Sequence, residues 1–275
     1  MDEPLDTGLS EETSRKRITG ITTGIAILMA IIFVLMQGVS GLPFLAFMSM
    51  EESIAYALLL AYVGSLLVGK QFIPFPSFTW GNGSLTPMTV IVSIVFFITV
   101  KIGTSMPMEF IPGYEELMQG YLDQFGGFGL PVMIIASLVT PVVEEVYFRG
   151  MIQRGLNNKY HQPYRAILIS SVLFGIIHII PIQVVAAAGM GMALGWIYYK
   201  TKSLWFVIMI HGVNNALAFF AMQYMDLEEG SMSTRADIGN DAIVIGLIIA
   251  SIAIAYTAFS YLDKQWNTGE ETTIV

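Results

Sequence analysis

The sequence contains no cysteine. Disulfides, thiolate metal sites and a cysteine nucleophile are therefore excluded, and the redox compartment is left open. Charge is also scarce. Thirteen Lys/Arg and 21 Asp/Glu make up 12% of 275 residues, about half the ~25% usual in soluble domains. Apolar residues make up 55%, and the mean hydropathy is +0.66. A soluble fold of this length cannot hide that much apolar surface. A cytosolic enzyme, a disordered chain, collagen and a coiled coil are excluded on the same grounds. The net charge of −8 does not fit a nucleic-acid binder.

The apolar residues are grouped. Eight stretches approach the roughly 20 residues that cross a bilayer as a helix: Ile18–Met36, Ser53–Gly69, Leu85–Val100, Leu130–Phe148, Ala166–Ile180, Ile182–Tyr199, Ser203–Met225 and Ala242–Tyr261. The expected fold is all-α and polytopic, a single transmembrane domain over residues 18–261 with short tails at 1–17 and 262–275. The first stretch reads as an uncleaved anchor, because its apolar run is long and follows an acidic-then-basic tail. The fifth and sixth stretches meet at Pro181 with almost no loop. Between Pro112 and Gly126, Tyr114, Leu117, Met118 and Tyr121 recur at helical spacing, which predicts a short amphipathic helix on the interface. The segment Phe72–Ser84, rich in Pro, Gly and aromatics, reads as an irregular interfacial loop with Phe and Trp anchors.

Basic residues orient the chain. With Arg15, Lys16 and Arg17 in the cytosol, Lys70, Arg149, Arg154, Lys159, Arg165, Lys200, Lys202 and Lys264 fall on the same side, and only Lys101 and Arg235 fall opposite. Both termini are then expected to be cytosolic. The outer loops carry acid instead: Glu51 and Glu52, then Glu109, Glu115, Glu116 and Asp123, then Asp226, Glu228, Glu229, Asp237 and Asp241.

An ionisable side chain inside a span costs at least ~2.5 kcal/mol on insertion scales and marks function by default. By the span limits above, three charges lie in or at the end of a span, all in one segment: Glu144, Glu145 and Arg149. His178 and His211 also interrupt apolar runs. Glu145 and Arg149 are four apart and share a helix face, as a structural ion pair would. Glu144 is rotated about 100° away and has no local partner. His211 and Asn215 are again four apart, and Phe174 precedes His178 by one turn. Asn214 and Asn215 are also suited to bridging helices. Counted from the cytosolic flanks at ~1.5 Å per residue, Glu144, His178 and His211 lie roughly 17–20 Å deep, at one level of the bilayer.

A carboxylate and an imidazole facing a buried water can make it a nucleophile. A second imidazole with an amide can support a developing oxyanion. This chemistry is hydrolysis, most simply of an amide. The same Glu144, His178 and His211 also form a three-ligand set for zinc, and the spacing is compatible with both readings. A proton-relaying transporter or a non-catalytic scaffold would use the same cluster. Other protease signatures are absent: there is no H-E-x-x-H helix, no G-x-S-x-G elbow and no aspartate pair within the spans.

Glu144-Glu145-x-x-x-Arg149, Phe174-x-x-x-His178 and His211-x-x-x-Asn215 together resemble the three signature motifs of the CAAX protease family, also called CPBP or Abi, which includes the type II prenyl-protein endopeptidases. The resemblance covers Pro131–Phe220. It implies an intramembrane endopeptidase of the glutamate type, with a metal-free site and a cavity open to the cytosol. By position, Glu144 would be the base that activates water, helped by His178. His211 and Asn215 would be oxyanion stabilisers, and Glu145, Arg149 and Phe174 would be supporting residues. The implied substrate is a membrane-embedded or lipidated protein in a bilayer. In some members it is a prenylated protein cut after its modified cysteine; others are linked to bacteriocin processing, immunity or sorting, and some act as scaffolds. The expected location is the plasma membrane of a prokaryote, as a multi-pass protein.

Overall fold

The structure is a computed structural model that describes residues 20–40, 49–78, 81, 85–125, 129–224 and 233–268. Among the described residues there is no strand. The helices are α1 (Thr23–Ser40), α2 (Met50–Gly69), α3 (Pro87–Ser105), α4 (Tyr114–Phe125), a composite α5 over 130–160, α6 (Pro163–Ile176), α7 (Pro181–Thr201), α8 (Leu204–Tyr224), α9 (Thr234–Ile238) and α10 (Asp241–Thr268). Among the described residues six runs are long and apolar enough to cross a membrane: Glu52–Gly69, Pro87–Phe110, Pro131–Tyr160, Pro181–Thr201, Leu204–Ala221 and Asp241–Trp266. Thr23–Gln37 and Pro163–Ile176 are shorter apolar helices. The eight expected stretches all map onto these helices. The chain is an all-α polytopic membrane protein, as lipid requires of a backbone that must satisfy its own hydrogen bonds.

Local chemistry sets the helix starts. Ser49 and Glu52 form a reciprocal cap on α2, with Ser49 N donating to Glu52 Oε2 at 3.1 Å and Glu52 N donating to Ser49 Oγ at 3.3 Å. Thr86 and Thr89 do the same for α3, whose first residue is Pro87. The amphipathic helix is present as α4. The described part of the 72–84 loop is not helical, and Phe78 packs on Trp205 at 5.4 Å; Trp80 lies outside the described residues, as does Ile18. Two expected boundaries need correction. α10 runs on to Thr268. α3 runs to Ser105 and continues as a 3₁₀ turn, Met106–Phe110. Lys101 therefore lies within a span and not in an outer loop. The apolar count stopped at the charge, whereas the helix does not, because the Lys101 side chain finds a partner on α8.

The composite α5 is tied by polar contacts to each of its neighbours. Tyr147 donates to Met29 O of α1 at 2.9 Å, and Tyr62 of α2 bonds Thr140 at 2.8 Å. Ser170 of α6 donates to Phe148 O at 2.9 Å. On α7, small residues permit close approach: a Cβ on Gly189 would lie 2.5 Å from Thr104, and one on Gly195 would lie 2.7 Å from Gln153 Oε1. α10 packs on α3 at the periphery.

Candidate active site

α5 changes pitch twice. Ile135–Val139 and Val146–Gln153 are π-helical and bracket the α-helical Thr140–Glu145. Such turns concentrate at functional sites. In the first, Thr140 N–H bonds Ile135 O, five residues back. In that register the next acceptor, Ala136 O, faces Pro141, which has no N–H. Asn215 of α8 fills the gap, its Nδ2 donating to Ala136 O at 3.1 Å. The close approach of α8 here needs Gly212, where an added Cβ would lie 3.2 Å from Ser137 O.

One turn further on are the acids. Glu144 is 6% exposed, Glu145 0%, Arg149 1% and His211 1%. Glu145 Oε1 lies 2.9 Å from Arg149 Nη1 and accepts from His211 Nδ1 at 2.8 Å. A carboxylate only accepts, so Nδ1 of His211 carries a proton and Nε2 faces Glu144, 3.7 Å from its Oε2. That separation is beyond direct hydrogen bonding and leaves Glu144 for a third group.

The second imidazole is also fixed. Phe174 O lies 2.8 Å from His178 Nδ1. A carbonyl cannot donate, so Nδ1 carries the proton and Nε2 keeps its lone pair. The α6 helix ends just before, and Ile179 takes φ +64°, with Ile180 N bonding His178 O at 2.6 Å. A β-branched residue in this tight turn is strained backbone placed directly after His178. The Phe174 ring meets His178 at 5.1 Å and His211 at 5.9 Å, both edge to face, and the Arg149 guanidinium lies 4.4 Å over it. Glu144 is in electrostatic range of both histidines.

The three motif segments thus meet around Phe174. A family model described as "Type II CAAX prenyl endopeptidase Rce1-like" matches residues 126–217. A Bacillus subtilis (strain 168) protein named "Putative membrane peptidase YdiL" is 38% identical over 102 residues, 37% of this chain and 41% of the relative. Over residues 126–217 the chain is thus similar to the CAAX protease family. The chain spans about two-fifths of the length of the curated relative it matches. No solved structure matches.

Within this matched segment, the placement of each residue read from the sequence differs in detail. Glu144, Glu145, Arg149, Phe174, His178 and His211 converge. Glu145 holds His211 as well as Arg149, a link across 66 positions that helical spacing does not reveal. Asn215 stands one turn beyond His211, with an Nδ2 proton committed to Ala136 O. Among the described residues no group of three or more His, Cys, Asp or Glu is placed to hold a metal ion. Asn214 does bridge helices, accepting from Lys101 Nζ of α3 at 2.7 Å and donating to Asn215 Oδ1 at 3.2 Å. Lys101 is the polar residue that sequence reading missed. The signal for it was the apolar and small run Ile102-Gly103-Thr104-Ser105 that continues past it.

Proposed function

We propose that the chain is an intramembrane endopeptidase in which Glu144 and His178 activate water without a metal. The observation that carries this reading is a nearly buried carboxylate facing an imidazole whose other nitrogen is fixed by a second carboxylate. Glu144 takes a proton from water, and the hydroxide adds to the scissile carbonyl carbon. His178, with Nδ1–H held by Phe174 O, offers its Nε2 lone pair to the same water. Glu145 stabilises the imidazolium form of His211, whose Nε2–H then donates to the oxyanion. Asn215 Nδ2 keeps a second N–H for that oxyanion beside the one it gives Ala136 O. The proton on Glu144 passes to the leaving amine as the C–N bond breaks.

The substrate class is a membrane-associated protein tail, a prenylated CAAX-type tail included, reached from the cytosolic side. The positive-inside distribution of Lys and Arg supports that side. The test is cleavage of prenylated and unprenylated peptides by purified chain in lipid. Glu144→Gln is expected to lower the rate by about 10²–10⁴-fold with thermal unfolding unchanged. Equal rates for Glu144→Gln and the unaltered chain would overturn the mechanism. No cleavage by either, together with a Glu144-dependent flux in vesicles, would assign a transporter. Stoichiometric zinc lost with activity on chelation would overturn the metal-free chemistry.

A further inference from the structure

Away from the acids, α3 and α8 enclose a groove of about 500 Å³, a size typical of small-molecule sites. Its walls are apolar, and several of their residues are open to the outside: Ile98 is 46% exposed, Met209 54%, Val213 59% and Leu217 64%. Along α3 it runs from Val90 to Ser105, roughly 22 Å at ~1.5 Å per residue. That suits one extended alkyl chain. Lys101 lines its far part. Among the described residues no carboxylate lies within ion-pair distance of Lys101, and its Nζ has one polar partner there, Asn214 Oδ1 at 2.7 Å. An ammonium has three donors, so two remain. An intramembrane cation with no counter-charge is costly, and a ligand anion would offset that cost.

We propose that this groove binds a long-chain carboxylate, its alkyl chain lying between α3 and α8 and its carboxylate on Lys101 Nζ. Depth selects a carboxylate over a phospholipid headgroup. The spanning run ends at Phe110, and Lys101 lies roughly 13 Å short of it along the helix, below the level where lipid phosphates sit. The groove volume admits one chain where a phospholipid brings two. The proposal does not depend on the protease reading, although the sites adjoin. The bond series Lys101–Asn214–Asn215–Ala136 runs from the groove to the π-helical turn before Glu144.

The experiment is direct binding of palmitate, hexadecanol and phosphatidylglycerol to the purified full chain in detergent. Palmitate is expected to bind about tenfold or more tighter than hexadecanol, the gain of a charge-assisted bond. Lys101→Met should remove that advantage and leave hexadecanol binding unchanged, Lys101→Arg should keep it, and Val213→Trp should block both chains. Equal binding of palmitate and hexadecanol to the unaltered chain would overturn the proposal, with no need for any variant to fold. So would palmitate binding that survives Lys101→Met, or displacement of palmitate by an equal concentration of phosphatidylglycerol.

Discussion

The helix Asp241–Trp266 has a mean hydropathy of 2.4 and is 17% buried, whereas Pro131–Tyr160 has a mean hydropathy of 1.5 and is 56% buried. In a water-soluble protein the more apolar helix would be the inner one. Here the order is inverted, because lipid is as good a solvent for Ile and Leu as the protein interior is. Hydropathy in this chain therefore measures contact with lipid. Burial marks where polar groups are gathered: Glu144, Glu145, Arg149 and Gln153 are all buried on the inner helix.

Substitutions along the two helices can break or sharpen this contrast. The largest effect is expected on chemistry, from Glu144→Gln in the cleavage assay above. Next comes Arg149→Met, which leaves Glu145 as a buried charge with only His211 beside it. A loss of about 3–5 kcal/mol is expected, read as a fall in the unfolding midpoint in detergent. Asn215→Ala strips Ala136 O of its partner and should cost about 1–3 kcal/mol by the same measurement. Its cleavage rate should fall as well, since the turn that aims Glu144 loosens. At the other end of the scale, Ile249→Ala on the lipid-facing side of α10, where Ile249 is 62% exposed, should stay within about 0.5 kcal/mol of the unaltered chain. A cost for Ile249→Ala equal to that for Asn215→Ala would mean that α10 covers a core like a soluble helix, and the contrast would fail.

The parts of this molecule that obey local rules were legible in the sequence. Runs of apolar residues near spanning length gave the helices, and a spacing of four gave the Glu145–Arg149 pair, which the structure shows at 2.9 Å. Glu144 stands out in the sequence as the acid without a local partner, and of the adjacent pair Glu144 and Glu145 it is the one without a direct hydrogen bond among the described residues. The rest depends on how helices meet. That His211 docks on Glu145 and Asn215 on Ala136 follows from the packing of α8 against α5, which no window of sequence contains. The π-helical turns were hidden for a related reason. Pro141 signals a freed carbonyl, but what takes it up lies 79 positions away. Lys101 was misplaced because a charge was read as the end of a span, although a lysine with a partner can stay inside one.

The glycines of α7 have a consequence beyond close packing. Arg149 Nη2 donates to Gly191 O at 3.4 Å, and Gln153 Nε2 to Gly195 O at 2.8 Å. Each pair is four residues apart, so donors and acceptors form two matched rungs. With no side chain in the way, the main chain of α7 stands in for water around two polar groups that water does not reach. This wall of the site is hydrophilic without one hydrophilic residue. A change of Gly195 to alanine would leave the sequence as apolar as before while setting a methyl group 2.7 Å from Gln153 Oε1 and crowding that amide away from the carbonyl that solvates it.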